Sequence, residues 1–228
     1  MREALVTNNE AVQVALVGGS YDRAIQLLEK AQERLSELAK QPAMTVPDEA
    51  PRQNTWISAI RVHDETSDGV GMMDSPGSVF SAFPHAFTMQ CKGPIDKTSV
   101  FELSVLLIYN KAFSFHLRGV SKPSGGHRDL MTALRLYSFG LSIVRKQVNS
   151  FDILSNFHLV VLALLNNALH LFSHFHNLGQ VRRRKANMQD LLEVFEKAGI
   201  CERNCETDVF YANVFFGACC DLKVAAAA

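Results

Sequence analysis

Proline is confined almost entirely to one stretch of this 228-residue chain. Six of the seven prolines lie between Pro42 and Pro94, and beyond that stretch the only other one is Pro123. Proline inside a helix removes a backbone donor and clashes with the preceding turn, so the two ends of the chain can form long helices and the middle cannot. The chain therefore divides into a helical segment 1–40, an irregular insertion 41–97, a helical segment 98–222 and an alanine-rich tail 223–228.

The first segment is predicted to be a helical hairpin formed by residues 3–17 and Tyr21–Lys40. Gly18-Gly19-Ser20 separates the two helices, and glycine readily takes the left-handed conformation that ends a helix. The second helix has one apolar face, since small and large apolar residues recur at spacings of four and three. These residues are Ala24, Leu28, Ala31, Leu35 and Leu38.

The remaining segments are predicted from the same kinds of signal. Thr98-Ser99 is expected to cap a helix that runs to about Arg118, and further helices are expected over 128–149, 152–176, 180–198 and 207–222. In the insertion, Trp56–His63 and Val79–Met89 have the composition of two short strands of a β-hairpin, with Asp64–Ser78 as a mobile loop. Pro84 would place the second strand at a sheet edge.

An Asn-x-Ala-apolar signature occurs three times, in three predicted first helices. It begins at Asn9, Asn110 and Asn166. Each is followed by a second helix with a small or apolar residue, a bulky residue four positions on and a small residue seven positions on. The sets are Ala24, Leu28, Ala31; then Ala133, Tyr137, Gly140; then Leu191, Phe195, Ala198. Small residues let paired helices approach closely, and such pairs bury their faces by stacking into arrays.

The segment Gly19–Ile25, followed by Leu28 and Ala31, resembles the second-helix signature of a tetratricopeptide repeat, and Ala11 precedes Ala24 by the 13 residues that this resemblance requires. The later units have longer gaps and depart from the family's period. Residues 98–222 also resemble uncharacterised helical-repeat proteins of diatom-type algae. The resemblance implies a mostly α fold of stacked antiparallel helical hairpins, a tetratricopeptide-like array, interrupted by an insertion able to hold a small β-hairpin.

The charge balance predicts no nucleic-acid partner. Lys+Arg and Asp+Glu both number 23, and the run Arg182–Lys185 has no basic neighbours. The N-terminus lacks the apolar run of a signal peptide. The apolar stretch 157–175 contains His158, Asn166 and other polar groups, so we expect no membrane insertion. A cytoplasmic or nuclear location, with reduced cysteines, is the expectation.

No motif in the sequence predicts catalysis, a cofactor or a metal site. His170 and His174 have the i, i+4 spacing of two zinc ligands, but no Glu follows the first histidine as in metalloproteases. Cys201, Cys205, Cys219 and Cys220 lack the paired spacing of structural zinc sites. Buried thiols and helix-packing histidines are therefore favoured over a metal or hydrolytic enzyme.

The recurring asparagines are the strongest functional indication. The resemblance places them on the concave side of the array, where an amide, which both donates and accepts, could pair with the backbone of a bound peptide. The candidate partner-binding residues are Asn9, Gln13, Asn110, Ser114, Arg118, Asn166, His170 and His174. Two other interpretations stay open: the asparagines brace neighbouring helices, or the insertion or last helix fills the groove. The leading hypothesis is a non-catalytic module that binds a peptide or protein in this groove; the alternative is a structural subunit of a larger assembly.

Overall fold

A computed structural model describes residues 1–40, 54–62, 78–92, 97–122, 126–147, 157–200, 204 and 207–215. Within these ranges the protein is mostly helical, with seven α-helices and one two-stranded antiparallel sheet. The predicted loop Asp64–Ser78 lies outside the described residues except for its last position. The four C-terminal cysteines and the tail 223–228 also lie outside them.

The predicted N-terminal hairpin is confirmed. Helix α1 spans Arg2–Glu10 and continues as a π-helical turn, Ala11–Leu16. Gly19 then takes a left-handed conformation with φ of 71°, and α2 spans Tyr21–Ala39. The apolar face of α2 is buried as expected, because Ala24, Leu28 and Ala31 are fully covered and Leu35 nearly so, whereas the side chain of Leu38 is outside the described part.

Five helices follow the insertion, close to the predicted positions. They are α3 Lys97–Val120, α4 His127–Gln147, α5 His158–His174, α6 Leu178–Lys197 and α7 Asp208–Phe215. The predicted cap is wrong, because α3 already begins at Lys97 and Thr98-Ser99 lies in its first turn. Helix α6 ends before Gly199, whose φ of 64° is the expected left-handed stop.

Each helix packs against the next one along the chain. Contacts run from α1 through to α7 in sequence order, and α2 packs on α3 across the insertion. Small residues lie where helices approach, since Ala11, Ala112 and Ala168 are fully buried and a Cβ on Gly140 would lie 3.0 Å from Leu164 of α5. The third small-residue set is shorter than predicted, because Ala198 is the exposed C-cap of α6.

The predicted β-hairpin is also present. Strand β1, Asn54–Arg61, pairs antiparallel with β2, His85–Lys92, with Ile57 opposite Met89. Strand β2 starts directly after Pro84, later than predicted. The hairpin does not project from the helices: β2 contacts α1, the π-helical turn and α3. Phe83, Phe87 and Met89 are fully buried, so the proline-rich insertion supplies part of the hydrophobic core.

Candidate functional site

Six asparagine side chains from four helices line the path of the extended segment Ser81–Met89. We call them the asparagine ladder. They come from α1, α3, α5 and α7 and are Asn8, Asn9, Asn110, Asn166, Asn167 and Asn213. Among the ladder residues only Asn9 is appreciably exposed, and the other five are buried.

Two asparagines clamp the β2 part of the segment. Nδ2 of Asn9 donates to the Met89 carbonyl at 2.8 Å, and the Met89 N–H donates to Oδ1 of Asn9 at 3.1 Å. Asn110 holds Phe87 in the same way, with distances of 2.7 Å to the carbonyl and 2.9 Å from the N–H. One side-chain amide thus satisfies both the N–H and the C=O of one backbone residue. In a β-sheet, a neighbouring strand satisfies the same two groups with a C=O and an N–H of its own backbone.

Two further asparagines clamp the preceding part of the segment. The Phe83 N–H donates to Oδ1 of Asn167 at 2.7 Å, and Nδ2 of Asn167 lies 3.4 Å from the Phe83 carbonyl. Asn213 of α7 pairs with Ser81, at 3.1 Å from its N–H and 2.7 Å from its carbonyl. The ladder therefore reaches from the first helix of the chain to the last described one.

The ladder contacts every second residue, as extended backbone requires. Successive residues of a strand turn their N–H and C=O groups to opposite edges, and the clamped residues are all odd-numbered. His85 is the odd residue without an asparagine, and its carbonyl accepts a 2.8 Å bond from the hydroxyl of Tyr109 instead. Burial raises the pKa of that hydroxyl well above its usual value, so it stays protonated as a donor.

The opposite edge of the segment is held by β1. Strand pairing runs from Asn54 opposite Lys92 to Arg61 opposite His85, and the Val62 N–H donates to the Pro84 carbonyl at 3.0 Å. Residues 84–89 of the segment thus lie between β1 and the ladder. In the described structure the ladder asparagines bind this segment of their own chain.

The ladder has an internal repeat that involves two asparagine doublets. In α1, Asn8 accepts from Asn110 at 2.9 Å and donates to the Phe87 carbonyl, while its neighbour Asn9 clamps Met89. In α5, Asn166 accepts from Asn213 at 2.7 Å and donates to the Ser81 carbonyl, while its neighbour Asn167 clamps Phe83. The α1–α3 and α5–α7 pairs therefore use the same arrangement, six residues apart on the segment.

The structure brings five of the eight sequence-predicted residues to this place. Asn9, Asn110 and Asn166 belong to the ladder. Nδ1 of His170 lies 2.5 Å from the Phe80 carbonyl, one residue before the clamped stretch. The Ser114 hydroxyl is buried beside the ladder but donates back to the Asn110 carbonyl at 2.8 Å, within its own helix.

The other three predicted residues are exposed or have their described contacts elsewhere. Gln13 is exposed, and the half-buried ring of His174 packs edge-on against Phe175. Arg118 bonds both carboxylate oxygens of Asp129 at 2.9 and 2.7 Å and also pairs with Asp22. This ion pair, which lowers the pKa of Asp129, joins α2, α3 and α4; the expected external acidic group of Arg118 is replaced by acids of the same chain.

Four residues that bond segment 81–89 or the ladder were not predicted from the sequence: Asn8, Asn167, Asn213 and Tyr109. The Asn-x-Ala signature selected one asparagine of each doublet, although Asn8-Asn9 and Asn166-Asn167 were the visible signal for a paired role. Asn213 lies outside any such signature, and nothing in its local sequence marks it. Tyr109 directly precedes Asn110, but adjacent residues of a helix lie about 100° apart around its axis, so the signature at Asn110 did not predict it.

A cluster of buried rings lies next to the ladder. His116 and His170 are fully buried with ring centroids 5.1 Å apart, and Nδ1 of His116 is 3.4 Å from the Tyr137 hydroxyl. Burial, and then the nearby His170 and His174, hold the pKa of His116 well below its usual value, so this histidine is neutral at physiological pH. Among the described residues no three His, Cys, Asp or Glu side chains are grouped so that they could hold a metal ion.

No family model, curated protein or solved structure matches the chain. None of the described helices combines the length and the apolar character needed to cross a membrane.

Proposed function

We propose that this chain is a non-catalytic interaction module, a tetratricopeptide-like array whose asparagine-lined face receives an extended protein segment. The observation that carries the proposal is the double hydrogen bond from each of four amides to alternate backbone residues of segment 81–89. Segment 81–89 is thus an internal example of the extended protein segments that the module would bind.

The ladder chemistry suits a receptor for extended chains in general. On the segment, the amides bond only backbone N–H and C=O groups, and every residue except proline carries both groups. Ligand backbone is recognised in the same way when a peptide adds a strand to a sheet edge. An incoming segment could therefore replace segment 81–89 without loss of these bonds.

Side-chain contacts would add selectivity. The buried Phe83 ring stacks on Phe210 with centroids 4.9 Å apart, and the Phe87 ring meets Tyr109 edge-on at 4.9 Å. Met89 is also fully buried. A competing partner segment is thus expected to carry aromatic residues four positions apart, followed after two positions by an apolar residue, as Phe83, Phe87 and Met89 do.

The internal segment sets the condition for binding. Because segment 81–89 is tethered, its effective concentration at the ladder is on the order of millimolar. A partner must therefore bind more tightly than the segment at that concentration, or meet a chain whose segment has been released. The module would therefore bind its partner by exchange of one strand for another.

Exchange can be measured after the segment is cut free. Protease sites placed in 64–77 and in 93–96 would release residues 78–92 as a noncovalent peptide. We expect the cut protein to stay folded at high concentration and to exchange its peptide for a labelled synthetic copy, followed by fluorescence anisotropy. A labelled peptide with Phe83→Ala and Phe87→Ala is the matched control and should bind at least about 100-fold more weakly, since each ring contributes several kcal/mol.

Two outcomes would refute the proposal. If the cut protein loses its fold and added peptide does not restore it, the segment is simply part of the core. If the protein stays folded but never exchanges its peptide, the ladder is not a binding site for a partner.

One observation favours the alternative of a structural subunit. Val6 of α1 and Val14 of the π-helical turn are 62% and 66% exposed at the N-terminal end of the helical series. Exposed apolar groups on a terminal helix would suit a permanent neighbour in an assembly. Light scattering, which measures the oligomeric state, separates the two functions. A structural subunit should self-associate as an isolated chain and become monomeric with Val6→Ser and Val14→Ser.

A further inference from the structure

A cleft of about 350 Å³ opens between α4, α5 and α6. It shares no lining residue with the asparagine ladder. Its floor is aliphatic, because Val144, Val161 and Leu165 are each at most 5% exposed. The volume lies within the range of small-molecule sites, roughly 300–1,000 Å³.

Arg184 of α6 lines this cleft and is half-buried. Its Nε atom is buried without a hydrogen-bond partner among the described residues. The guanidinium lies 5.8 Å from the centre of the Phe172 ring, which supports one of its faces. A buried donor on a cation is costly unless it is paired, so the position calls for an acceptor.

Two other partly buried cations of the described structure have acidic partners. Arg118 is paired with Asp129, and Nζ of Lys111 lies 3.0 Å from Glu29. Arg184 instead faces a second cation, because Arg145 of α4 lines the same cleft. Burial, then Arg145 and Arg183, lower the pKa of Arg184, which reflects a site with too little negative charge.

One acidic residue also lines the cleft. Asp190 is exposed and lies within ion-pair distance of neither Arg145 nor Arg184 in the described structure. With both arginines and this carboxylate charged, the cleft keeps a net positive charge. Its composition is thus an aliphatic floor beneath two arginines that have no counter-ion among the described residues.

We infer that this cleft binds a small anionic amphiphile, a molecule with one carboxylate or phosphate head and an aliphatic body. Arginine forms paired hydrogen bonds with both kinds of head, so Arg184 and Arg145 would hold the head while the body covers Val144, Val161 and Leu165. A cleft of about 350 Å³ suits an aliphatic chain of moderate length better than a folded partner.

Calorimetric titration of the full chain with octanoate and octyl phosphate, below their micellar concentrations, tests the inference. Neutral 1-octanol has the same body and serves as the ligand control. We expect at least one of the two anions to bind saturably, at least about 10-fold more tightly than octanol, and the stronger anion identifies the head group. Arg184→Gln should weaken that anion about 10- to 150-fold, as loss of a charged hydrogen-bonding partner does, and leave octanol unchanged. Arg182→Gln, an exposed neighbour on α6, is the matched variant and should keep full affinity.

A second readout separates a ligand site from a structural arginine. Without ligand, Arg184→Gln removes an unpaired buried charge, so its melting temperature should equal or exceed that of the parent; with saturating anion, the parent should gain more in melting temperature than the variant. The inference fails if neither anion binds more tightly than octanol, if Arg184→Gln binds like Arg182→Gln, or if it melts well below the parent without ligand.

Discussion

Asn8 and Asn110 are separated by 102 residues in sequence, yet Nδ2 of Asn110 donates to Oδ1 of Asn8 at 2.9 Å. Both amides also donate to the same acceptor, the Phe87 carbonyl. A single backbone group of the insertion therefore joins the first helix of the chain to the first helix after the insertion. The N-terminal hairpin and the C-terminal helices are connected through this shared carbonyl as well as through the contact of α2 with α3.

Asn110→Ala is expected to lower the free energy of unfolding by about 2–6 kcal/mol. The substitution leaves the Phe87 N–H and Oδ1 of Asn8 without their partners in a buried place, and each such loss costs roughly 1–3 kcal/mol. Urea denaturation followed by circular dichroism measures the change. Gln13→Ala, at an exposed site, is the control and should stay within about 0.5 kcal/mol of the parent. Equal stability of the two variants would show that the ladder bonds contribute nothing.

The same bonds decide what the double variant Asn110→Ala, Asn166→Ala would do. If these amides served only an external ligand, partner affinity would fall by roughly 1–3 kcal/mol with the fold nearly intact. Since both bond segment 81–89 in the described structure, we expect a lower melting temperature. Melting and peptide exchange measured on one sample separate the two effects.

Acid is expected to destabilise the protein between about pH 6.5 and 5. His116 is neutral in the fold because its pKa is depressed, mainly by burial. The unfolded chain binds a proton there below about pH 6.5, so stability falls by up to about 1.4 kcal/mol per pH unit as the pH decreases. His85, with its pKa lowered to about 4 by burial and Arg61, acts in the same direction.

Substitution of His116 measures how much of this pH dependence comes from its imidazole. His116→Gln should give a flatter dependence of unfolding free energy on pH, and His127→Gln, at an exposed position, should retain the parent's slope. Parallel slopes for the parent and His116→Gln would contradict a neutral buried imidazole. The comparison needs urea titrations at pH 7, 6 and 5.

A fragment consisting of residues 1–40 should be unfolded. Its hairpin depends on groups outside itself: Asn9 bonds Met89, Lys111 of α3 bonds Glu29, and Arg118 pairs with Asp22. About 40 residues are also too few to bury an adequate core without external support. Circular dichroism of the fragment measures this, and a cooperatively folded monomer would overturn the prediction.

Zinc is expected to be absent from the purified chain. Cys201, Cys205, Cys219 and Cys220 lack the spacing of a structural site, and Cys91 lies far from them in sequence, in strand β2. Metal analysis should find far less than one zinc per molecule, and a chelator should leave the melting temperature unchanged. A stoichiometric zinc whose removal lowers that temperature would contradict this, because structural zinc adds directly to folding free energy.

Local patterns predicted the helices well. The spacing of Ala24, Leu28 and Ala31 is enough to identify a buried helix face. Gly19 and Gly199 mark the ends of helices because a helix end requires only that the glycine itself take a left-handed φ. The signature that begins at Asn110 likewise placed its amide on an inward face.

What the asparagines bind could not be predicted in the same way. An amide that faces inward can pair with a helix, a ligand or another segment. For most of the ladder the choice depends on residues far away in sequence: Met89 is 80 positions from Asn9, and Ser81 is 132 positions from Asn213. Pro84 predicted only that the second strand would lie at a sheet edge. The alternation of buried Phe83 and Phe87 in the insertion was the available signal for a strand in the core, but no local rule links it to the ladder.

The direction of the ladder has a consequence for synthesis on the ribosome. Helix α1 bonds the later end of the segment, at Met89, and α7 bonds its earlier end, at Ser81. Bonds between groups so far apart in sequence form slowly, because the intervening chain must first be ordered. The segment is made after α1 but more than a hundred residues before Asn213. In a nascent chain, the bonds between Asn213 and Ser81 therefore cannot form until residue 213 has left the exit tunnel. The speed of translation through α3 to α6 sets how long the backbone of Ser81 lacks these bonds.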